Sequence, residues 1–171
     1  MATAGVGAGA ARSEVLIDEK VALERAFPGQ QQVERRTVYL TAEQVSRVER
    51  AARSRVSSPV VTVFEAHDGT GITGRGVLDT FVVRTMPASV LTVIAPDGRL
   101  RMSLVLRFSE PPDYLPREGW LRTFAGRRLD DDLWPGRGVQ AVTGATLTVQ
   151  SLTEAVRRAL AIDALVLRSP R

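Results

Sequence analysis

The chain has 171 residues, 44% hydrophobic and 25% charged, the size and balance of one globular domain with a core of its own. It has no cysteine and one histidine, His67, which excludes thiolate-bound zinc, iron–sulfur clusters, thioether-linked haem and thiol chemistry. Its 23 basic residues, all arginine except Lys20, exceed the 19 acids and give a net charge of +4, yet they are scattered and aromatics make up only 5%, which argues against a nucleic-acid partner.

Residues 1–14, opening "MATAGVGAGAAR", are rich in small residues and read as a disordered start or the remnant of an export signal or other leader. Residues 15–168 are expected to form a single domain. In "IDEKVALERAFPG", Asp18 is a candidate N-cap and Pro28-Gly29 a stop, which predicts a short helix. "RTVYL" is a brief strand candidate. In "TAEQVSRVERAARSR", Thr41 and Gln44 have capping-box spacing, and Val45, Val48 and Ala52 line one helix face.

From residue 60 the period becomes that of strands. "PVVTVFEA" and "GVLDTFVVRT" flank the glycine-rich "HDGTGITG", and "VLTVIA" and "RLRMSLVLRF" flank the turn "PDG". In the last strand, strict alternation places Leu100, Met102, Leu104, Leu106 and Phe108 on one face and Arg99, Arg101, Ser103 and Arg107 on the other. That predicts a sheet with one buried face and one wet face. "SEPPDYLP" must be irregular because of its prolines, and Pro116 can open a short helix that stacks Trp120 on Phe124. Ser151 and Glu154 again have capping-box spacing, which places the start of the closing helix near Ser151. The expected fold is α+β, an antiparallel meander formed mainly by residues 60–108 with helices packed on one face. No apolar run reaches the length of a membrane span, so no integral membrane segment is expected.

Several patterns invite a chemical reading. Residues 69–74, "GTGITG", have dinucleotide-loop spacing, but a strand follows them where a helix is needed, so they read as a hairpin turn. Asp130, Asp131 and Asp132 lack calcium-loop spacing and read as a solvated cluster. His67 has no visible partner, and Glu65 and Asp79 form either an acid–base pair or ordinary cross-strand surface charge. No metal site and no catalytic residue is expected. The stretch "VTGATLTVQSL", residues 142–152, is different. Gly144 and Ala145 let a ligand approach the backbone, and Thr143, Thr146 and Thr148 offer hydroxyls ahead of a helix whose first N–H groups lack partners. From the residues alone this is either a phosphate site or a threonine loop that caps the helix.

"TGATLT" resembles the [ST]-G-A-T-x-[ST] motif of the FMN-binding domain family, which includes flavoprotein subunits of Rnf-type and sodium-translocating NADH:quinone oxidoreductase complexes. "RFSEPPDYL" resembles that family's H-x-E-T-P-G loop, and "GWLRTFAGRRL" its W/F-x-x-x-F-x-G stretch, with Trp120, Phe124 and Gly126 in place. The resemblance spans about residues 60–165 and implies an FMN cofactor esterified through its phosphate to Thr146 by a separate flavin transferase. Thr143, Gly144, Ala145, Leu147 and Thr148 would surround the attachment, and Glu110, Pro111 and Trp120 would lie near the flavin ring. Arg84 and Arg107 are candidate phosphate partners. The implied role is an electron-transfer flavoprotein, periplasmic or on the extracytoplasmic side of a membrane, with a membrane redox partner. Two positions depart from the pattern. Gln140 stands where the transferase's recognition pattern carries Asp, and Phe108 and Ser109 stand near the position of the usual histidine. Gln140 supports the alternative of a related domain without covalent flavin that serves as a binding or adaptor subunit.

Overall fold

Among the described residues, six strands form one antiparallel sheet in the order β1-β6-β5-β4-β3-β2, so the five strands from β2 to β6 are a continuous meander. The computed structural model describes residues 14–30 and 32–168. The leader read over residues 1–14 lies outside the described residues, except for Glu14, which opens β1 (Glu14–Val15). The strands β2 (Gln32–Tyr39), β3 (Val60–Asp68), β4 (Gly71–Val83), β5 (Met86–Ile94) and β6 (Leu100–Phe108) are joined with four helices, α1 (Glu19–Ala26), α2 (Ala42–Ala52), α3 (Glu118–Arg122) and α4 (Thr146–Ile162). The architecture is α+β, as expected. β2 is longer than "RTVYL" because it is an edge strand, where charged residues such as Glu34, Arg35 and Arg36 are tolerated.

Local signals set the element ends. Asp18 Oδ1 accepts from the Lys20 N–H at 2.9 Å, and both halves of the Thr41–Gln44 capping box are made. The β3–β4 turn closes on Asp68, whose Oδ1 accepts from the N–H groups of Thr70 and Gly71 at 2.7 and 3.0 Å. The third glycine of "GTGITG" has a packing role. A Cβ on Gly74 would lie 3.3 Å from the Phe27 ring, and one on Gly76 would lie 3.0 Å from Leu91.

Phe27 marks the main correction to the sequence reading: both faces of the sheet are buried. On one face α2 and α4 cover Val61, Val63, Val77, Val90 and Ile94. On the other, Ala22, Ala26 and Phe27 of the α1 region pack on Phe64, Leu91, Val93, Leu104 and Leu106. The expected alternation along β6 fails because its register with β5 shifts twice, between Ser89 and Val90 and between Val93 and Ile94. Each shift leaves an extra residue in β6 and turns the following side chains to the opposite face. Leu100, Val105 and Phe108 therefore join the α4 side, while Met102, Leu104 and Leu106 join the α1 side.

Candidate functional site

The loop that leads into α4 is held by side chains reaching backbone oxygens. Trp120 of α3 is buried, packs edge-on against Phe124 with ring centroids 4.9 Å apart, and donates from Nε1 to the Gln140 carbonyl at 2.8 Å. Arg127 donates to the Gly138 carbonyl at 2.5 Å. From α4, Arg157 donates to the carbonyls of Asp130 and Leu133 at 2.6 and 3.0 Å and to that of Ala52, at the end of α2, at 2.7 Å. Loop, α2 and α4 thus share one buried guanidinium. Sequence reasoning missed this anchor, although a charged Arg-Arg pair inside the apolar run of α4 is a visible cue.

The loop ends in a tight turn. The Ala145 N–H donates to the Val142 carbonyl at 3.1 Å, and Gly144 turns the chain with φ +83°, a conformation that costs an L-residue energy. α4 then starts at Thr146, five residues before the expected Ser151. The early start follows from burial: Thr148, Val149 and Leu152 all enter the core, which outweighs the weak helix propensity of the β-branched residues.

Ala145 is the N-cap residue and supplies no side-chain acceptor. The first α-helical bond runs from the Val149 N–H to the Ala145 carbonyl at 2.9 Å, and the N–H groups of Thr146, Leu147 and Thr148 have no acceptor among the described residues. A threonine cap, the bland reading of this stretch, is therefore not what the loop forms. Three free donors at the positive end of a 17-residue helix suit an anion, and Thr146 is exposed at that end. A Cβ on Gly144 would meet nothing within 4 Å, so space is open above the turn. Thr143 and Leu147 are exposed, while Ala145 and Thr148 are buried beneath the turn. These residues fit a phosphate group.

The other sequence candidates fall in different places. Glu110 closes the β4–β5 turn: its Oε1 accepts from the N–H groups of Thr85 and Met86, both at 3.0 Å, and from the Thr85 hydroxyl at 3.3 Å. The Thr85 N–H, together with the other donors, holds its carboxyl below the ordinary value. Pro111 is exposed and leads into a 3-10 turn over Pro112–Tyr114, and the Arg84 guanidinium lies 4.8 Å from the Tyr114 ring centre. Arg107 lines a cleft with Leu78, Thr80 and Ser89, on the α1 side of the sheet, which separates it from α4. Glu65 and Asp79 do not pair. Glu65 bonds Arg36 and Arg75, and Asp79 bonds Arg158. His67 is half-buried with no partner for its Nε2, and no cluster of metal-ligating side chains occurs among the described residues.

Beside α3 a cavity of about 710 Å³ opens along the outer edge of β6, between Met102, Ser103 and Leu104 on one side and Leu115, Leu121 and Leu152 on the other. Leu16 and Ile17 also line it.

Comparison with known proteins bears on this arrangement. No curated protein matches the chain. Residues 86–161, a stretch that runs from β5 through the TGAT turn into α4, match the model of the FMN-binding domain family, and this match supports FMN as the cofactor.

Proposed function

We propose that the protein is a flavin-bearing electron carrier in which the Thr146 hydroxyl is esterified to the phosphate of FMN by a separate flavin transferase. The observation that carries this reading is the position of Thr146, exposed at the first turn of α4 where three N–H groups have no acceptor among the described residues. In forming the ester, the hydroxyl loses its proton, a new Oγ1–P bond forms, and the bond from that phosphorus to its donor breaks. The helix dipole and the free N–H groups stabilise the charge that stays on the phosphate. Gly144 keeps the approach open, and Trp120, Arg127 and Arg157 hold the turn still. When bound, FMN supplies one- and two-electron transfer, and the chain supplies position and electrostatics. The redox partner in this reading is a membrane protein on the extracytoplasmic side. No helix among the described residues is long and apolar enough to cross a membrane.

Gln140 favours a second reading, an FMN-binding domain that holds no covalent flavin and serves as an adaptor. Its backbone carbonyl is bonded to Trp120 while its side chain is exposed, where a modifying enzyme would read it. Co-expression with a flavin transferase, denaturation and intact-mass measurement decide between the two. The carrier reading expects a gain of FMN less one water, lost in Thr146→Ala and increased in yield by Gln140→Asp. An unmodified chain that also fails to retain FMN before denaturation overturns it.

A further inference from the structure

The cavity beside α3 stands apart from the TGAT turn. No residue of that turn lines it, and its wall residue on α4, Leu152, is fully buried and lies roughly 240° round the helix from exposed Thr146. Ten of its fourteen lining residues are apolar, and every charged one is an arginine: Arg25 of α1, Arg101 of β6 and Arg122 of α3, all exposed. No carboxylate lines it, whereas the cleft at Arg107 includes Asp18 and Glu19. Its volume of about 710 Å³ falls within the range of small-molecule pockets, roughly 300–1,000 Å³.

These features select a ligand with an apolar body and an acidic end. The walls include Leu104, Val105, Pro116 and Leu152, all buried, and taking an apolar chain out of water against them is the main source of affinity. The exposed arginines set the orientation, because charge-assisted hydrogen bonds from guanidinium to carboxylate are about twice as strong as neutral ones. A cationic amphiphile finds no anionic partner among the lining residues. Ser103 points the same way. It is only 6% exposed and its Oγ has no partner, although buried hydroxyls are normally bonded, so an oxygen acceptor on the ligand would satisfy it. The site is also preformed. The N–H groups of Leu16 and Ile17 both donate to the Leu106 carbonyl, at 2.9 and 3.3 Å, and Arg101 donates to the Thr73 carbonyl at 3.1 Å.

We infer that this cavity binds a single-chain amphiphile with an acid head, of the fatty-acid class, its chain against the leucines and its carboxylate among Arg25, Arg101 and Arg122. The assignment does not depend on flavin attachment, so the unmodified full-length chain tests it. Calorimetric titration with monomeric decanoate, laurate and myristate is expected to show one saturable site, with affinity rising about fourfold per methylene, from about 0.8 kcal/mol for each buried CH₂. Dodecyltrimethylammonium, with the same chain and the opposite charge, binds more weakly than laurate. Ala125 and Arg25 are exposed, so substitutions there keep the fold. Ala125→Trp fills the cavity and weakens both ligands, while Arg25→Glu weakens laurate at least about fivefold and does not weaken dodecyltrimethylammonium. Absence of saturable laurate binding, equal affinity for the two ligands, or laurate affinity unchanged in both variants overturns the assignment. Displacement of laurate by free FMN, or its loss on flavinylation, overturns it in favour of the flavin. Binding to phosphatidylglycerol vesicles without binding of monomeric laurate overturns it in favour of a membrane surface. A chain that binds laurate as described yet gains no flavin mass and retains no FMN supports this site and overturns the carrier reading alone.

Discussion

A guanidinium that is 2% exposed and makes no ion pair among the described residues is held at Arg157 by backbone oxygens alone. Burial lowers its pKa, and the five fixed donors of an arginine answer that cost by meeting carbonyls that would otherwise lack partners. Trp134 adds a ring 5.3 Å away. Arg157→Met is expected to lose about 3–5 kcal/mol, because it strands carbonyls of Ala52, Asp130 and Leu133 away from water, and urea denaturation will read the loss. Gly144 presents the opposite case, since nothing crowds it and only its φ of +83° demands glycine. Gly144→Ala should cost about 1–2 kcal/mol, measurable in the same titration, and lower the flavinylated fraction by shifting the turn beside Thr146. Trp120→Phe keeps the ring but loses the bond to Gln140, and about 1 kcal/mol with it. The TGAT motif made Thr146 legible in the sequence. The carbonyl partners of Arg157 lie 24 to 106 residues away, so no local pattern announced them.

Among the elements, α4 and the β3–β4 hairpin illustrate how context overrides local signals. The Ser151–Glu154 spacing suggested a cap, yet Ser151 lies inside α4 and Glu154 instead accepts from Ser54 and Gln150. Core contacts of Thr148, Val149 and Leu152 extend the helix back to Thr146, and that extension puts the free N–H groups at the threonine proposed to carry the flavin. On β3, burial would raise the Glu65 carboxyl, but hydrogen bonds and charge from Arg36 and Arg75 outweigh it and hold it below its ordinary value. A carboxyl lowered in the folded state contributes stability that is complete above its unfolded pKa and lost as pH falls through the folded one. Urea midpoints should therefore decline as the pH drops below the usual Glu range near 4.3, and the decline should be smaller in Glu65→Gln, which starts from a lower midpoint at neutral pH.

At the scale of the whole molecule, the sheet separates two apolar clusters, one under α2 and α4 and one under α1. Only the first was expected. The strand periods, the caps at Asp18 and Thr41, the turn at Asp68 and the TGAT motif act over a few residues, and the sequence by itself determined the α+β class, the meander and the likeness to the FMN-binding domain family. Three features were decided only by tertiary structure. The register shifts of β6 depend on its pairing with β5, and they send Leu100 and Phe108 to one cluster and Met102, Leu104 and Leu106 to the other. The placement of Arg107 on the face away from α4 follows from the same strand geometry. The cavity joins Leu16, Ile17 and Arg25 to Met102, Ser103, Leu121 and Leu152, positions far apart along the chain that become neighbours only when β1 docks on the free edge of β6. Local interactions fix period and caps, whereas side-chain facing and concave space arise from contacts between distant segments, which a linear pattern does not encode.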